Sequence, residues 1–481
     1  MDRGNVMSVS TSVVLLTLLS ASFVQSAESD GKVSFWFPDE QNRHFVPRGF
    51  VTVTEDGVGP VQYSREDYYR MVRCGANLQV IRLRLGQLGG WPGTQLHEDY
   101  LKQVDAMVRL GGEVGLKTAF KMTVYGTPGF GGHEGWTRLW LNENQEQDHI
   151  IRAWRAIWQR YRNDASVFGY DLLNEPFRGT LAEDYQQVTR MRLIPLYRRL
   201  IDELYKISPE KWAVYQPLLL DINDRGPGKL PMVEMTTPID RRRIIFAPHG
   251  YFPNAELHAR AVKRHLREAE LSGAGLMMGE WGRQTYKGMD DDLAKQAEYR
   301  KLYAEVAAVF DRHGMGMVKA WFTGTRRWNG KKQNYTWSVF RDAAAVGTVE
   351  RKYIMDIVAR PAPLTVAGRI QRFGFDPATR TFEMTFTADR KQGDSEIFVG
   401  ENRHYPDGFT VVFNDVLQLA RDPLRPEVWR VLQAPPHTDT SVFRFDAKTQ
   451  RLRVTCWPGV QEKCTLTIIP GTTGSWPPAT H

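Results

Sequence analysis

Short apolar runs alternate with amphipathic segments along the first three quarters of the chain. The apolar runs have strand length, and the segments between them repeat their apolar residues at helical spacing. The predicted strands cover 45–53, 78–85, 116–125, 168–177, 212–217, 243–251, 275–280 and 315–322. The predicted helices cover 64–75, 97–113, 142–161, 183–207, 255–272 and 290–313. Eight strands with helices between them predict an α/β fold, a (β/α)₈ TIM barrel, over residues 30–360.

The pattern changes at about residue 361. Arg360 and the prolines that follow it are predicted to form a stiff linker. Beyond it, short runs alternate apolar and polar residues and are separated by turn residues, which predicts a C-terminal antiparallel β-sandwich over 361–472. The Ser/Thr/Pro-rich end, 473–481, is predicted to be a mobile tail.

Two predicted strands end in a carboxyl group. The fourth ends at Asn174-Glu175-Pro176, where proline stops the ladder, and the seventh delivers Glu280. A parallel barrel takes its catalytic groups from the C-terminal tips of different strands. Two carboxyls at the barrel mouth are what glycoside cleavage requires, and this chemistry implies no metal and no organic cofactor.

Other polar or aromatic residues lie near the same strand ends. Several interpretations stay open for them: a structural ion pair for Arg82, a core histidine for His249, and ordinary packing for Tyr251 and Trp321. For Lys121 and Gln216 an ordinary structural role is favoured. The full set of supporting or substrate-binding candidates is Arg82, Asn174, His249, Tyr251, Trp321, Lys121 and Gln216.

The combination of these motifs resembles the family-5 glycoside hydrolases of the Glu/Glu barrel clan over residues 45–325. The motifs that carry the resemblance are Asn174-Glu175-Pro176, Glu280, His249-x-Tyr251 and Trp321. The resemblance implies that Glu175 is the general acid/base and Glu280 the nucleophile of a retaining enzyme.

The resemblance also implies roles for the supporting residues. Asn174 would hydrogen-bond the sugar 2-hydroxyl, and Trp321 would form the floor of the subsite. Arg82 and Tyr251 would orient or ionise Glu280. His249 would contact Glu175 or the substrate. Burial and the charge of Glu280 would keep Glu175 protonated.

One stretch departs from the family pattern. Most relatives carry a histidine, often after an Asp, at the end of strand three, whereas this chain has Phe120-Lys-Met-Thr-Val-Tyr125. Lys121, Thr123 or Tyr125 would have to substitute for the missing histidine. The departure leaves the hydrolytic pair intact but changes the expected contacts to the far hydroxyls of the sugar.

The order of the two domains is similar to that of endoglycoceramidases, which cleave a glycan or single sugar from ceramide. Carbohydrate or glycolipid is therefore the expected substrate. Ordinary packing is the favoured role of six aromatic residues near the predicted mouth, with a lipid-side groove or stacking on sugars as the alternative: Trp91, Phe130, Trp136, Trp140, Trp328 and Trp337.

Charge and the N-terminus bear on partners and location. The net charge of +8 comes without a basic stripe and interleaved aromatics, which argues against nucleic-acid binding but allows peripheral attraction to anionic lipid. Residues 1–26 have the pattern of a secretory signal peptide, with an uncleaved anchor as the alternative. The chain is then secreted, extracellular or periplasmic. Cys456 and Cys464 flank a Pro-Gly turn at a spacing that suits a hairpin disulfide.

The sequence therefore predicts a secreted retaining β-glycosidase that acts on glycolipids. The same chemistry on a polysaccharide, as in an endo-β-glucanase or mannanase, is the alternative. A carbohydrate-binding barrel without catalysis is a third hypothesis, motivated by the altered strand three.

Overall fold

A computed structural model describes most of the chain after residue 36. The described ranges are 37–55, 59–91, 96–226, 228–286, 288–322, 327–328, 331–332, 335–341, 346–421, 424, 429–436, 442–455 and 463–471. The predicted signal peptide, the predicted tail and Cys456 lie outside them, so the signal and the disulfide stay predictions. Within these ranges, no helix combines the length and apolar character needed to cross a bilayer.

The N-terminal part is a closed parallel barrel, which confirms the predicted fold class. Closure is made by the eighth strand, where Met317 pairs with Arg48 of the first strand and with Met278 of the seventh. The barrel strands are Arg48–Val53, Leu78–Arg84, Lys117–Thr123, Val167–Asp171, Trp212–Tyr215, Ile244–Phe246 with His249–Gly250, Gly275–Trp281 and Gly316–Lys319.

Helices surround the barrel and bury their apolar faces against it. The first begins at a capping box in which Ser64 and Asp67 satisfy each other's backbone N–H groups, as its sequence predicts. Trp154 and Trp158 stack within the core, with ring centroids 5.8 Å apart. The α-helices of this part are Arg65–Val72, Leu85–Leu88, Glu98–Glu113, Gly132–Leu141, Glu146–Tyr161, Tyr185–Val188, Ile194–Tyr205, Ala255–Leu271, Leu293–Arg312 and Lys352–Val358; Glu401–His404 belongs to the C-terminal part.

Prolines divide two of the predicted strands. Pro47 separates the barrel strand from His44–Phe45, which pairs instead with Ala362–Val366 of the C-terminal part. Pro248 divides the sixth strand, and its second piece sets His249 opposite Glu280 in register. The fourth strand ends at Asp171, earlier than predicted, so Glu175 lies in the loop just beyond its tip.

The C-terminal part consists of two antiparallel sheets. Its own apolar core includes residues from both sheets, such as Phe382 and Leu452. One sheet has the order His44–Phe45, Ala362–Val366, Asp394–Phe398, Arg451–Thr455 and Phe443–Asp446. The other has the order Gly368–Asp376, Thr381–Ala388, Lys463–Pro470, Phe409–Phe413, Leu417–Arg421 and Trp429–Gln433.

The predicted linker at Arg360 is wrong, because this residue is buried and the strand Ala362–Val366 follows almost at once. Its guanidinium donates through Nε to Asp311 Oδ2 at 2.7 Å, and Asp311 lies near the end of helix Leu293–Arg312. Arg403, on a C-terminal helix, also forms ion pairs with Glu350 and Asp356. The junction is therefore a packed and ion-paired interface.

We expect Asp311→Ala to lower the free energy of unfolding by about 3–5 kcal/mol, because it leaves the buried Arg360 charge uncompensated. The measurement is urea denaturation followed by circular dichroism. Lys301→Ala is the matched control: its ion pair with Glu305 is exposed and 3.9 Å long, and its loss should cost less than about 1 kcal/mol. Equal effects of the two substitutions would contradict this account of the junction.

Candidate active site

Three charged side chains share one level of the barrel. Arg82, Lys121 and Asp171 are register partners on the second, third and fourth strands, so their side chains point to the same side of the sheet. Asp171 and Lys121 are almost completely buried. Asp171 was not among the residues that the sequence singled out. The signal that would have found it is a charged residue at the same depth in three consecutive apolar strands.

Glu175 is held in an unusual backbone conformation. Its φ of 50° lies in the left-handed region, which costs a non-glycine residue of order 1–3 kcal/mol and is concentrated at functional sites. Its backbone N–H donates to Gln216 Oε1 at 2.9 Å, and the N–H of neighbouring Asn174 donates to Met122 O at 2.8 Å. These two bonds fix the loop so that the Glu175 carboxyl faces the cleft, with about 34% of the side chain exposed.

Glu280 is buried at the end of the seventh strand, and both of its carboxylate oxygens accept hydrogen bonds. Lys121 Nζ donates to Oε1 at 2.8 Å, and the hydroxyl of Tyr251 donates to Oε2. Lys121 therefore makes the direct charged contact with Glu280. Arg82 donates instead through Nε to Thr123 Oγ1 at 2.9 Å.

His249 connects the two glutamates. Its Nδ1 lies 2.8 Å from Glu175 Oε1, and its Nε2 lies 3.1 Å from Lys121 Nζ. A lysine ammonium can only donate, so Nε2 is the acceptor, and Nδ1 carries the ring proton and donates to Glu175. One imidazole thus links the lysine at Glu280 to the carboxyl of Glu175.

A second path closes the network into a ring. Gln216, which accepts from the Glu175 backbone, donates through Nε2 to Asp171 Oδ2 at 2.7 Å. The same carboxylate oxygen lies 3.6 Å from Lys121 Nζ. The sequence favoured ordinary structural roles for Lys121 and Gln216, but the structure places both within the network that joins the two glutamates.

The pKa values of the two glutamates are separated by these contacts. Burial raises the pKa of Glu280, but Lys121, His249 and Arg82 together lower it by more, so it lies well below the ordinary range. Burial and the charge of Glu280 also raise the pKa of Tyr251 well above its usual value, so its hydroxyl stays a donor. Glu280 is therefore ionised in the resting protein.

Glu175 differs from the expectation that it stays protonated. Burial raises its pKa, but the hydrogen bond from His249 lowers it, and the net direction is downward. The direct contact with an ammonium places the pKa of Glu280 lower still. The first proton taken up by the pair therefore goes to Glu175.

Glu175, His249 and Glu280 also offer three ligand atoms that lie within 4.8 Å of one another. Lys121 Nζ already contacts both Glu280 and His249. A metal cation among these three groups would stand next to the ammonium and would be repelled by it. The site fits a charge-paired carboxyl pair better than a metal centre.

The remaining predicted residues are divided between the site and the core. Asn174 is buried, and its Oδ1 has no hydrogen-bond partner among the described residues, which leaves it available to a sugar hydroxyl. Trp321 is 7% exposed, and the Arg82 guanidinium lies 5.5 Å from the centre of its ring. Trp337 contacts Tyr251, with ring centroids 4.6 Å apart.

Three of the aromatic residues near the predicted mouth pack into the core. Phe130, Trp136 and Trp140 are buried there, which confirms ordinary packing, the favoured interpretation for them. Trp91 packs edge-on against Phe130. The side chain of Trp328 lies outside the described part. Trp136 and Trp140 lie on helix Gly132–Leu141, which is not among the predicted helices, and this helix turns both rings into the core.

Comparison with known proteins places this site in a family. The family model described as "Cellulase (glycosyl hydrolase family 5)" matches residues 48–316, and "Glycoside hydrolase family 5 C-terminal domain" matches residues 360–468. The chain belongs to glycoside hydrolase family 5. Both parts of this family-5 chain are thus covered, and Glu175 and Glu280 lie within the first match.

Relatives of this family-5 chain include endoglycoceramidases. Endoglycoceramidase I of Rhodococcus hoagii is 24% identical over 288 residues, which are 58% of this chain and 54% of that protein. An endoglycoceramidase of Cyanea nozakii is 22% identical over 278 residues, 55% of this chain and 51% of that protein. The matched region thus spans about half the length of these curated relatives.

Solved structures share the whole architecture of the family-5 chain. The lactosyl-enzyme intermediate of endo-glycoceramidase II from Rhodococcus sp. superposes with a TM-score of 0.68 at 18% identity, covering 91% of this chain and 99% of that one. The ganglioside GM3 complex of the same enzyme gives a TM-score of 0.67. At this identity, the likeness shows the fold of the barrel and its C-terminal sheets.

The buried Asp171 makes a specific contribution to the pH dependence of stability. Burial raises its pKa to about 6, only partly opposed by Lys121 and Gln216, so ionising it destabilises the folded state. The free energy of unfolding should fall as the pH rises from about 4 through 6, and Asp171→Asn removes this dependence. We expect the stability of the variant relative to wild type to increase by about 3 kcal/mol between about pH 4 and pH 7.

Urea denaturation across this pH range measures the difference. Asp99→Asn is the control, because the Asp99 side chain is 97% exposed. A pH-independent difference for Asp171→Asn would show that the carboxyl does not ionise against burial.

Proposed function

We propose that this family-5 chain is a retaining β-glycosidase that hydrolyses glycolipids. The observation that carries the retaining chemistry is the separation of the two glutamates, whose nearest ligand oxygens lie within 4.8 Å. Retaining enzymes hold their carboxyls roughly 5–5.5 Å apart, and inverting enzymes about 6.5–9.5 Å apart to admit water. The short separation favours double displacement with a covalent glycosyl-enzyme.

The contacts assign the two roles. Glu280 is the nucleophile, because its strongly lowered pKa keeps it ionised and because Tyr251 and Lys121 fix its orientation. Glu175 protonates the leaving oxygen and then, as a carboxylate, takes a proton from the attacking water. A sugar in the cleft would cover the exposed third of Glu175 and raise its pKa towards what a proton donor requires.

The aglycone side of the cleft is aromatic. Phe177 lies two residues after Glu175, and its ring centroid is 6.0 Å from that of Tyr125, which is 55% exposed. We place the leaving group that Glu175 protonates beside these rings, because Phe177 follows Glu175 so closely in the chain; the rings suit an apolar chain or a second sugar. The endoglycoceramidase relatives favour a lipid aglycone over a polysaccharide.

We also propose that the protein is secreted and acts at a lipid surface. The signal-like pattern of residues 1–26 supports secretion, and the net charge of +8 supports weak attraction to anionic lipid. Both proposals are tested by expressing the full chain in its native host and assaying the medium, the periplasm and the membrane fraction separately.

The catalytic roles are tested by two isosteric substitutions. Glu280→Gln should abolish turnover of all β-glycosides. Glu175→Gln should lower kcat/KM by roughly 10²–10⁴ for a poor leaving group and much less for a dinitrophenyl glycoside, which needs little protonation. Steady-state kinetics and NMR of the product anomer are the measurements, with retention of configuration expected.

Glu305→Gln, on the exposed surface of a barrel helix, is the control for these substitutions. Inversion of configuration, or full activity of Glu280→Gln, would refute the assignment.

The substrate class is tested with a panel of glycosphingolipids, soluble β-glucan and β-mannan, and small aryl β-glycosides. Tyr125→Ala should raise KM for a glycosphingolipid several-fold while leaving an aryl glycoside unchanged, because only the lipid reaches the exposed rings. Leu271→Ala, 46% exposed at the end of its helix, is the control. Hydrolysis of polysaccharide without release of sugar from any lipid would favour the endo-glucanase alternative.

A further inference from the structure

Lys121 lies between the two glutamates and belongs to neither alone. Its ammonium is 1% exposed and lies 2.8 Å from Glu280 Oε1, 3.1 Å from His249 Nε2 and 3.6 Å from Asp171 Oδ2. Two of these contacts are hydrogen bonds and the third, to Asp171, is a longer ion-pair contact, so the lysine is paired before any substrate binds. It fills the end of strand three, where the family pattern predicts a histidine.

We propose that Lys121 is a positioning residue that serves both glutamates in turn. It holds Glu280 ionised for attack and then, through His249, supports the carboxylate of Glu175 while Glu280 is esterified. This inference rests on the proposed function, because it assigns a part in the double displacement.

The reaction itself moves a negative charge between the two glutamates. In the first step, an oxygen of Glu280 forms a bond to the anomeric carbon, the bond from that carbon to the leaving oxygen breaks, and the proton of Glu175 passes to that oxygen. Glu280 loses its charge and Glu175 gains one. In the second step, water bonds to the anomeric carbon and gives a proton to Glu175, and the ester bond to Glu280 breaks.

Lys121 is linked to both glutamates between which the charge moves, directly to Glu280 and through His249 to Glu175. Before attack it donates directly to Glu280, and it reaches Glu175 through one imidazole, whose Nδ1–H points at Glu175 Oε1. When Glu280 becomes an ester, the ammonium loses its charged partner there. Its hydrogen bond to His249 Nε2 then polarises the ring and strengthens the Nδ1–H bond to the new Glu175 carboxylate.

Asp171 allows the ammonium to remain buried during this change. An isolated buried charge is costly, and Asp171 is the carboxylate that still faces Lys121 after Glu280 is esterified. Gln216 holds Asp171 through its amide N–H and holds the Glu175 backbone through its carbonyl oxygen. The ring of contacts therefore keeps its geometry while one of its charges moves.

The test compares the pH dependence of kcat/KM for wild type, Lys121→Gln and Lys121→Met on an aryl β-glycoside. The acid limb reports ionisation of Glu280, and loss of an opposite charge at hydrogen-bond distance should move it up by about 1–3 pH units. His249→Gln removes the hydrogen bond to Glu175, so it should move the basic limb upward. It should move the acid limb less than the Lys121 substitutions do, because His249 Nδ1 lies 3.8 Å from Glu280 Oε2 and makes no hydrogen bond to it.

Lys117→Gln is the matched control, since this lysine begins the same strand and pairs with Glu40 at 2.5 Å, at the opposite end of the barrel. A lower kcat for the Lys121 variants with both limbs unmoved would show a packing role only and would overturn the inference. Absence of turnover by wild type on every β-glycoside would instead refute the proposed function.

A second measurement covers the case in which the Lys121 variants fold but are inactive. The lowered pKa of Glu280 contributes stability above its unfolded pKa, and this contribution is lost as the pH falls through the folded value. The stability advantage of wild type over Lys121→Gln should therefore shrink on acidification. An advantage that stays constant with pH would mean that Lys121 does not ionise Glu280.

Discussion

The arrangement of side chains at the barrel mouth depends on one interaction, a buried ammonium that is hydrogen-bonded to a buried carboxylate. Removing Lys121 and Glu280 from water is costly, and a buried ion pair is often no more stable than apolar residues of the same volume. The pair therefore needs additional partners to remain buried. Tyr251, His249 and Asp171 supply them; the first two lie at the end of the sixth strand and Asp171 at the end of the fourth.

The closed barrel makes such a cluster feasible. Lys121 is 159 positions from Glu280 and 128 from His249, yet parallel pairing brings their strand ends to one mouth. Among the described residues, the C-terminal sheets contribute no side chain to this cluster, but they are joined to the barrel that positions it. Arg360 joins the strand that begins them to the barrel helix Leu293–Arg312, and the sheet strand His44–Phe45 precedes the first barrel strand directly.

Much of the fold was accessible from the sequence, because the barrel strands are buried on both faces and appear as short apolar runs. The pair Glu175 and Glu280 was accessible for a related reason: each follows such a run at the strand tip. Asp171 could not be singled out in this way. Its importance depends on lying beside Lys121 on the neighbouring strand, and that pairing is defined by the strand register. The linker prediction at Arg360 was wrong for a similar reason. A charged residue beside prolines suggests an exposed linker, and only the structure shows that Asp311 is its buried partner.

The altered end of strand three also changes how a sugar would be held. Thr123 accepts a hydrogen bond from Arg82, and this bond sets the guanidinium over the ring of Trp321. An aromatic ring has two faces, so a sugar that stacks on Trp321 must use the other face or displace Arg82. Strand three thus provides Lys121, which keeps Glu280 ionised, and Thr123, which positions Arg82. Direct recognition of the sugar is then left to groups such as Asn174 Oδ1, which has no hydrogen-bond partner within the described ranges and lies on the Glu175 side of the cleft.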